Sequence, residues 1–258
     1  MKSNLKVVLF DNDGVLKYQG KVYEGAIELI EYLKEKGVII RVITNSTLKN
    51  RGSCAKQLNE MGFNIDKEEV ITASYATACY LRRLKPRSCW VMVKGEGLEE
   101  FKDINHQDME NPEYLVLGDL RDDFNFKTMN KAVKLLIRGS KLIVMITEMI
   151  DNSMGEIELT VGAYGKMLEL ASGTKATYIG KPYRYIFETA LKSIPENIDK
   201  EKILMVGDKV KTDIIGAKNF GIKSALVKSG EFNENDLKDG VSPDYIFEKI
   251  SEIKLLFN

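Results

Sequence analysis

Short apolar runs alternate with stretches of helical periodicity along most of the chain. Residues 6–10 form an apolar run that stops at Asp11, a pattern that predicts a buried parallel strand delivering a carboxylate at its C-terminal end. Apolar positions recur at helical spacing over 24–33, and Gly37 closes that helix. A second apolar run over 38–43 leads into Thr44-Asn45-Ser46, and residues 52–61 return to helical periodicity before Gly62. That is a β-α-β-α opening, and a third strand over 70–72 and a helix over 75–84, stopping before Pro86, follow it.

The middle of the chain has its own α/β rhythm, with strands expected at 89–93, 114–117 and 141–146 and a helix over 126–137. After Lys181-Pro182 the opening pattern resumes. A helix over 185–192 precedes a strongly apolar strand over 202–206 that ends on Gly207-Asp208. A helix over 213–220 stops at Gly221, a strand follows at 224–227, and residues 245–256 supply a last short strand and helix. These elements predict an α/β protein in which residues 1–78 and 179–258 build one doubly wound, Rossmann-like parallel sheet. Residues 79–178 form a smaller inserted α/β domain. Ligand sites in such sheets lie beyond the C-terminal ends of the strands.

Composition narrows the function classes. The 258 residues carry 38 basic and 38 acidic side chains, so there is no basic footprint for nucleic acid, and no nucleic-acid partner is expected. The apolar runs at 7–10 and 142–146 are too short for a signal-peptide core or a bilayer span, which predicts a soluble, cytoplasmic protein with no membrane partner. Cys54, Cys79 and Cys89 are odd in number and lack metal-ligand spacing, so they are expected as reduced thiols. His106 is the only histidine, which leaves no material for a histidine ligand cluster.

Four polar clusters recur along the sheet-forming segments: Asp11 with Asp13, Thr44 with Asn45, Lys181, and Asp208 with Asp213. Three of them directly follow apolar strands. Asp11 and Asp13, two residues apart at a strand exit, share a side if the backbone stays extended, so one can attack a substrate while the other handles protons. Gly14 lets the chain turn sharply after them. A carboxylate attacking an anionic phosphoester needs a cation between the two, and an oxygen-rich site suits Mg²⁺, for which Asp208 can supply a further ligand. Thr44, Asn45 and Ser46 offer hydroxyl, amide and backbone N–H groups to phosphate oxygens, and Lys181 offers a compensating charge. Each cluster alone also has a plainer reading: Asp-x-Asp-Gly as a turn, Ser46 or Thr47 as a helix cap, Lys181 as a solvated side chain, and Asp213 as a helix-start acid. Their convergence on one predicted rim favours chemistry.

In this order the clusters resemble the motifs of the haloacid dehalogenase superfamily of aspartyl-nucleophile phosphatases. The Thr44-Asn45 pair, the insertion between Thr44 and Lys181, and Gly180-Lys181-Pro182 look like the NagD and 4-nitrophenylphosphatase subgroup, which has a C2-type α/β cap. The resemblance implies Asp11 as nucleophile, Asp13 as acid/base, and Gly14, Thr44, Asn45, Ser46 and Lys181 as phosphate contacts. It also implies Mg²⁺ held by Asp11, Asp208 and the backbone carbonyl of Asp13, with Asp213 acting indirectly. A small phosphorylated metabolite as substrate and a homodimer formed through the cap follow from the same resemblance. Asn12 departs from the usual apolar residue between the acids, Val15 stands where many members have Thr, and Lys209-Val210-Lys211 is more basic than usual. Leu117-Gly118-Asp119 imitates the fourth motif inside the cap, and a structural or rim role is expected for Asp119. Substrate selection is expected of cap loops at 147–155 and 162–165. A phosphotransferase or mutase, or a phosphoester-binding regulatory protein, could use the same fold; the large insertion argues against the former and the intact acids against the latter.

Overall fold

The computed structural model describes residues 4–151 and 156–258, which fall into two compact units. The first comprises the chain through Thr44 together with Cys54–Ile71 and Lys181–Asn258; the second comprises Asn45–Ser53 and Thr72–Gly180. Residues 45–53, 72–78 and 179–180, which the sequence pattern assigns to the sheet domain, thus lie in the second unit. Local contacts explain this. The hydroxyl of Ser74 donates to the Thr47 carbonyl at 2.6 Å, the Ala73–Leu84 helix packs on the Gly95–Phe101 turn, and the Ile179 and Gly180 amides donate to Val144 and Met145.

The first unit is built on a six-stranded parallel sheet in the spatial order Tyr245–Phe247, Lys223–Val227, Ile203–Gly207, Val7–Phe10, Ile39–Thr44, Val70–Thr72. Val7–Phe10 is buried throughout, as a strand flanked on both sides must be. Its alternate residues Val8 and Phe10 share a core with Ile40, Val42, Leu204 and Val206, against Leu29, Ile30 and Leu33 of the Ala26–Glu35 helix and Leu58 of the Arg51–Glu60 helix. From Val7–Phe10 the chain moves outward in one direction, then returns to Ile203–Gly207 and moves outward in the other. The strand order therefore reverses between these two neighbours. Their C-terminal ends open a crevice, and Asp11 and Asp208 are the residues that emerge there.

The second unit has a four-stranded parallel sheet, ordered Thr177–Tyr178, Lys141–Val144, Tyr114–Leu117, Cys89–Met92, with helices Phe126–Ile137 and Val161–Ser172 packed on each other. The 162–165 segment lies in the first turns of the latter helix, where a Cβ on Gly162 would stand 2.2 Å from the Thr147 carbonyl. Of the other expected selection loop, 152–155 lies outside the described residues, while Ile150–Asp151 pairs antiparallel with Glu158–Leu159. No helix among the described residues is long and apolar enough to cross a membrane.

Candidate active site

The site of the first unit begins with two strand ends. The Asp11 amide donates to the Val206 carbonyl at 2.9 Å, which extends the sheet pairing by one residue and fixes the aspartate beside Gly207. Asp208 follows directly. After it comes a wide π-helical turn, Val210–Ile214, before the Ile215–Phe220 helix, where the periodicity predicts one continuous helix over 213–220. The wider turn, in which the amides of Asp213 and Ile214 both reach the Lys209 carbonyl, returns Asp213 to the strand end. Carboxylate oxygens of Asp11, Asp208 and Asp213 lie within 4.8 Å of one another, all buried.

Lys181 bridges two members of this cluster. Its ammonium, 2% exposed, stands 2.7 Å from Oδ1 of Asp11 and 2.7 Å from Oδ1 of Asp213. Asp213 accepts the Lys209 amide on its other oxygen at 3.1 Å, so both its oxygens are engaged by protein. Asp208 is different: Oδ2 accepts the Glu231 amide at 2.7 Å, while Oδ1 is buried with no hydrogen-bond partner among the described residues. Glycines make room for these acids. A Cβ on Gly14 would lie 2.1 Å from Asp208 Oδ2, one on Gly230 2.3 Å from the same oxygen, and one on Gly207 2.2 Å from the Asp213 Cβ. Gly14 also has φ +95°, a conformation L side chains rarely adopt.

Burial dominates the electrostatics. It pushes the Asp11 carboxyl up to about 6; the Lys181 charge opposes this and the Asp213 charge adds to it. Asp208 rises further, to about 8, through burial and through the charges of Asp11 and Asp213. Burial alone would lower the Lys181 pKa, but the two carboxylates it touches outweigh that and leave it raised. Three carboxylates around one lysine leave excess negative charge, and the donors are all oxygen, so the partnerless Asp208 Oδ1 beside Asp11 fits a hard divalent cation.

The remaining candidates are distributed as follows. The Asp13 side chain is not in the acidic cluster; its oxygens meet Lys17 and the Asn12 amide. Thr44 is buried at the end of the strand next to Val7–Phe10. Asn45 and Ser46 begin the second unit, and the Asn45 amide donates to Glu148 Oε1 at 2.7 Å. Asp119, also in the second unit, accepts the Arg121 amide at 2.8 Å and has a local structural place. His106 Nδ1 lies 2.7 Å from the Ile104 carbonyl, far in sequence from any of these clusters. Sequence reasoning missed the contributions of Lys17, Gly230 and the Glu231 amide. None stands in a run or spacing that marks it.

Comparison with known proteins decides the family. A model described as haloacid dehalogenase-like hydrolase matches residues 8–107, and a second, HAD-hydrolase-like model matches 178–253. The human haloacid dehalogenase-like hydrolase domain-containing protein 2 is 31% identical over 242 residues, covering 94% of this chain and 91% of that protein. The chain belongs to the haloacid dehalogenase-like hydrolases. A Xenopus laevis relative of this hydrolase, named phospholysine phosphohistidine inorganic pyrophosphate phosphatase, is 31% identical over 92% of this chain and 88% of its own. Among solved structures, NagD from E. coli K-12 superimposes with a TM-score of 0.87 at 26% identity, covering 96% and 98% of the two chains. The 4-nitrophenylphosphatase of Thermotoga maritima gives 0.89 at 27%, covering 97% and 96%. The hydrolase family and its NagD-like subgroup are thus those the four motifs resemble.

Proposed function

We propose that this hydrolase is a magnesium-dependent phosphatase that cleaves small phosphomonoesters through a phosphoryl group carried on Asp11. The observation that carries the reading is the buried set of Asp11, Lys181, Asp208 and Asp213 at the switch point of the sheet. The phosphatase names of the similar proteins support it.

In this reading an Asp11 carboxylate oxygen forms a bond to phosphorus as the bond to the leaving oxygen breaks, and Asp13 passes a proton to that oxygen. Water then attacks phosphorus, gives its proton to Asp13, and releases phosphate with Asp11 restored. Lys181 holds Asp11 oriented and offsets its charge as the second anion approaches. Asp11 and Asp208, with the Asp13 backbone carbonyl, would hold the Mg²⁺, which when bound supplies positive charge to the phosphoryl oxygens. Gly14, Thr44, Asn45 and Ser46 are the proposed phosphate contacts. The second unit would select the leaving group and, through its exposed apolar side chains Ile150, Ile157, Leu159 and Leu170, form a homodimer. The test is phosphate release from a panel of phosphomonoesters with Mg²⁺ or EDTA. Metal-independent release would contradict the reading.

A further inference from the structure

Asn12 and Lys17 converge on the Asp13 side chain. Lys17 starts the two-residue strand Lys17–Tyr18, yet its side chain is only 7% exposed, and its ammonium pairs with Asp13 Oδ1. The Asn12 amide donates to Asp13 Oδ2 at 2.9 Å. A tight loop sets this geometry: the Leu16 and Lys17 amides donate to the Asn12 carbonyl at 3.0 and 3.2 Å, and the Gly14 amide donates to the Lys17 carbonyl at 2.7 Å.

Both residues are poor choices for stability alone. The Lys17 ammonium gives up hydration for a pair with a carboxylate that is itself 45% exposed, and a half-exposed pair adds little to stability. Asn12 is 5% exposed, and its Oδ1 meets no partner among the described residues, a cost that an apolar residue would avoid. What both gain is a grip on one carboxylate at two points, one oxygen each. That stops rotation about its Cβ–Cγ bond. A carboxylate oxygen has room for two hydrogen bonds, so each gripped oxygen keeps one position open.

We propose that Asn12 and Lys17 are positioning residues that aim the Asp13 carboxyl at the leaving oxygen and, later, at the attacking water. This rests on the phosphatase reading above. It concerns orientation: an Asp13 turned away from the leaving oxygen loses proton transfer even with Asp11 intact.

The test compares wild type with Lys17→Met and Asn12→Leu on two substrates, 4-nitrophenyl phosphate and an alkyl phosphate that the wild type turns over. Nitrophenolate leaves without a proton, whereas an alkoxide needs one. We expect kcat/KM on the alkyl phosphate to fall on the order of 10- to 100-fold in each variant, with less than about a threefold fall on the aryl phosphate. Because the Asp13 side chain is 45% exposed and stays hydrated when one partner is removed, Tm of each variant should stay close to that of the wild type. Equal losses on both substrates, or none on either, would overturn the assignment while leaving the phosphatase reading in place. A wild type that releases no phosphate from either substrate with Mg²⁺ would overturn both.

Discussion

Lys181 touches two of three buried carboxylates that would otherwise face one another, so its loss should be felt in stability before it is felt in chemistry. Breaking a buried pair by removing one partner costs about 3–5 kcal/mol. Lys181→Met should therefore lower Tm in the metal-free protein, by about 6–20 °C at 2–4 °C per kcal/mol, and a thermal melt checks this. The acids themselves predict a pH dependence. Asp11 and Asp208 are raised, to about 6 and about 8, so the folded chain holds these protons more tightly than the unfolded one. Their contribution is complete below the unfolded carboxylate range near pH 4 and is lost as pH rises through about 6 and then about 8. In EDTA, Tm should fall from about pH 5 to pH 8.5. Mg²⁺ should raise it, and more at the higher pH, because the cation competes with a proton on Asp208. A metal-free Tm that is flat or rising over that range would contradict the electrostatic account.

At the scale of elements, the loops matter more than the strands they leave. Gly14 and Gly230 face the same Asp208 oxygen, with their would-be Cβ atoms 2.1 and 2.3 Å from it. Both also have positive φ. Gly14→Ala and Gly230→Ala should each destabilise by about 1–3 kcal/mol and weaken Mg²⁺ binding, measured by denaturant melts and metal titration. Gly20→Ala is the control: it also has positive φ but nothing within 4 Å, so it should cost backbone strain without affecting the metal. The long sheet strands were legible because Val7–Phe10 and Ile203–Gly207 are continuous apolar runs with no competing period. Lys17–Tyr18, Lys21–Val22 and Thr177–Tyr178 were not, since two residues show no alternation and tertiary pairing alone makes them strands. The turn at Val210–Ile214 escaped for another reason: five residues are too few to show a period that separates a π turn from an α-helix. At the site, the acids and Lys181 could be read because they end apolar strands or precede proline. Lys17 could not, because only the fold shows that a lysine in that loop is buried against Asp13.

For the molecule as a whole, the proposed reacting groups lie in the sheet domain, while most of the exposed large apolar side chains belong to the second unit. Ile150 and Leu159, which pair antiparallel and are 55% and 65% exposed, are the contacts expected in the proposed homodimer. Light scattering should give a dimer mass for wild type and a monomer mass for a variant with both Ile150→Glu and Leu159→Glu; an unchanged mass would locate the interface elsewhere. The central claim is chemical, that the phosphoryl group passes through Asp11. It is tested most directly by mixing the enzyme with Mg²⁺ and substrate, quenching in acid within one turnover, reducing with borohydride and sequencing the peptides by mass. The account predicts homoserine at position 11 in wild type, none in Asp11→Asn, and a fall in turnover of at least on the order of 10³-fold in that variant. Full turnover by Asp11→Asn, or a trapped group on a different residue, would contradict it.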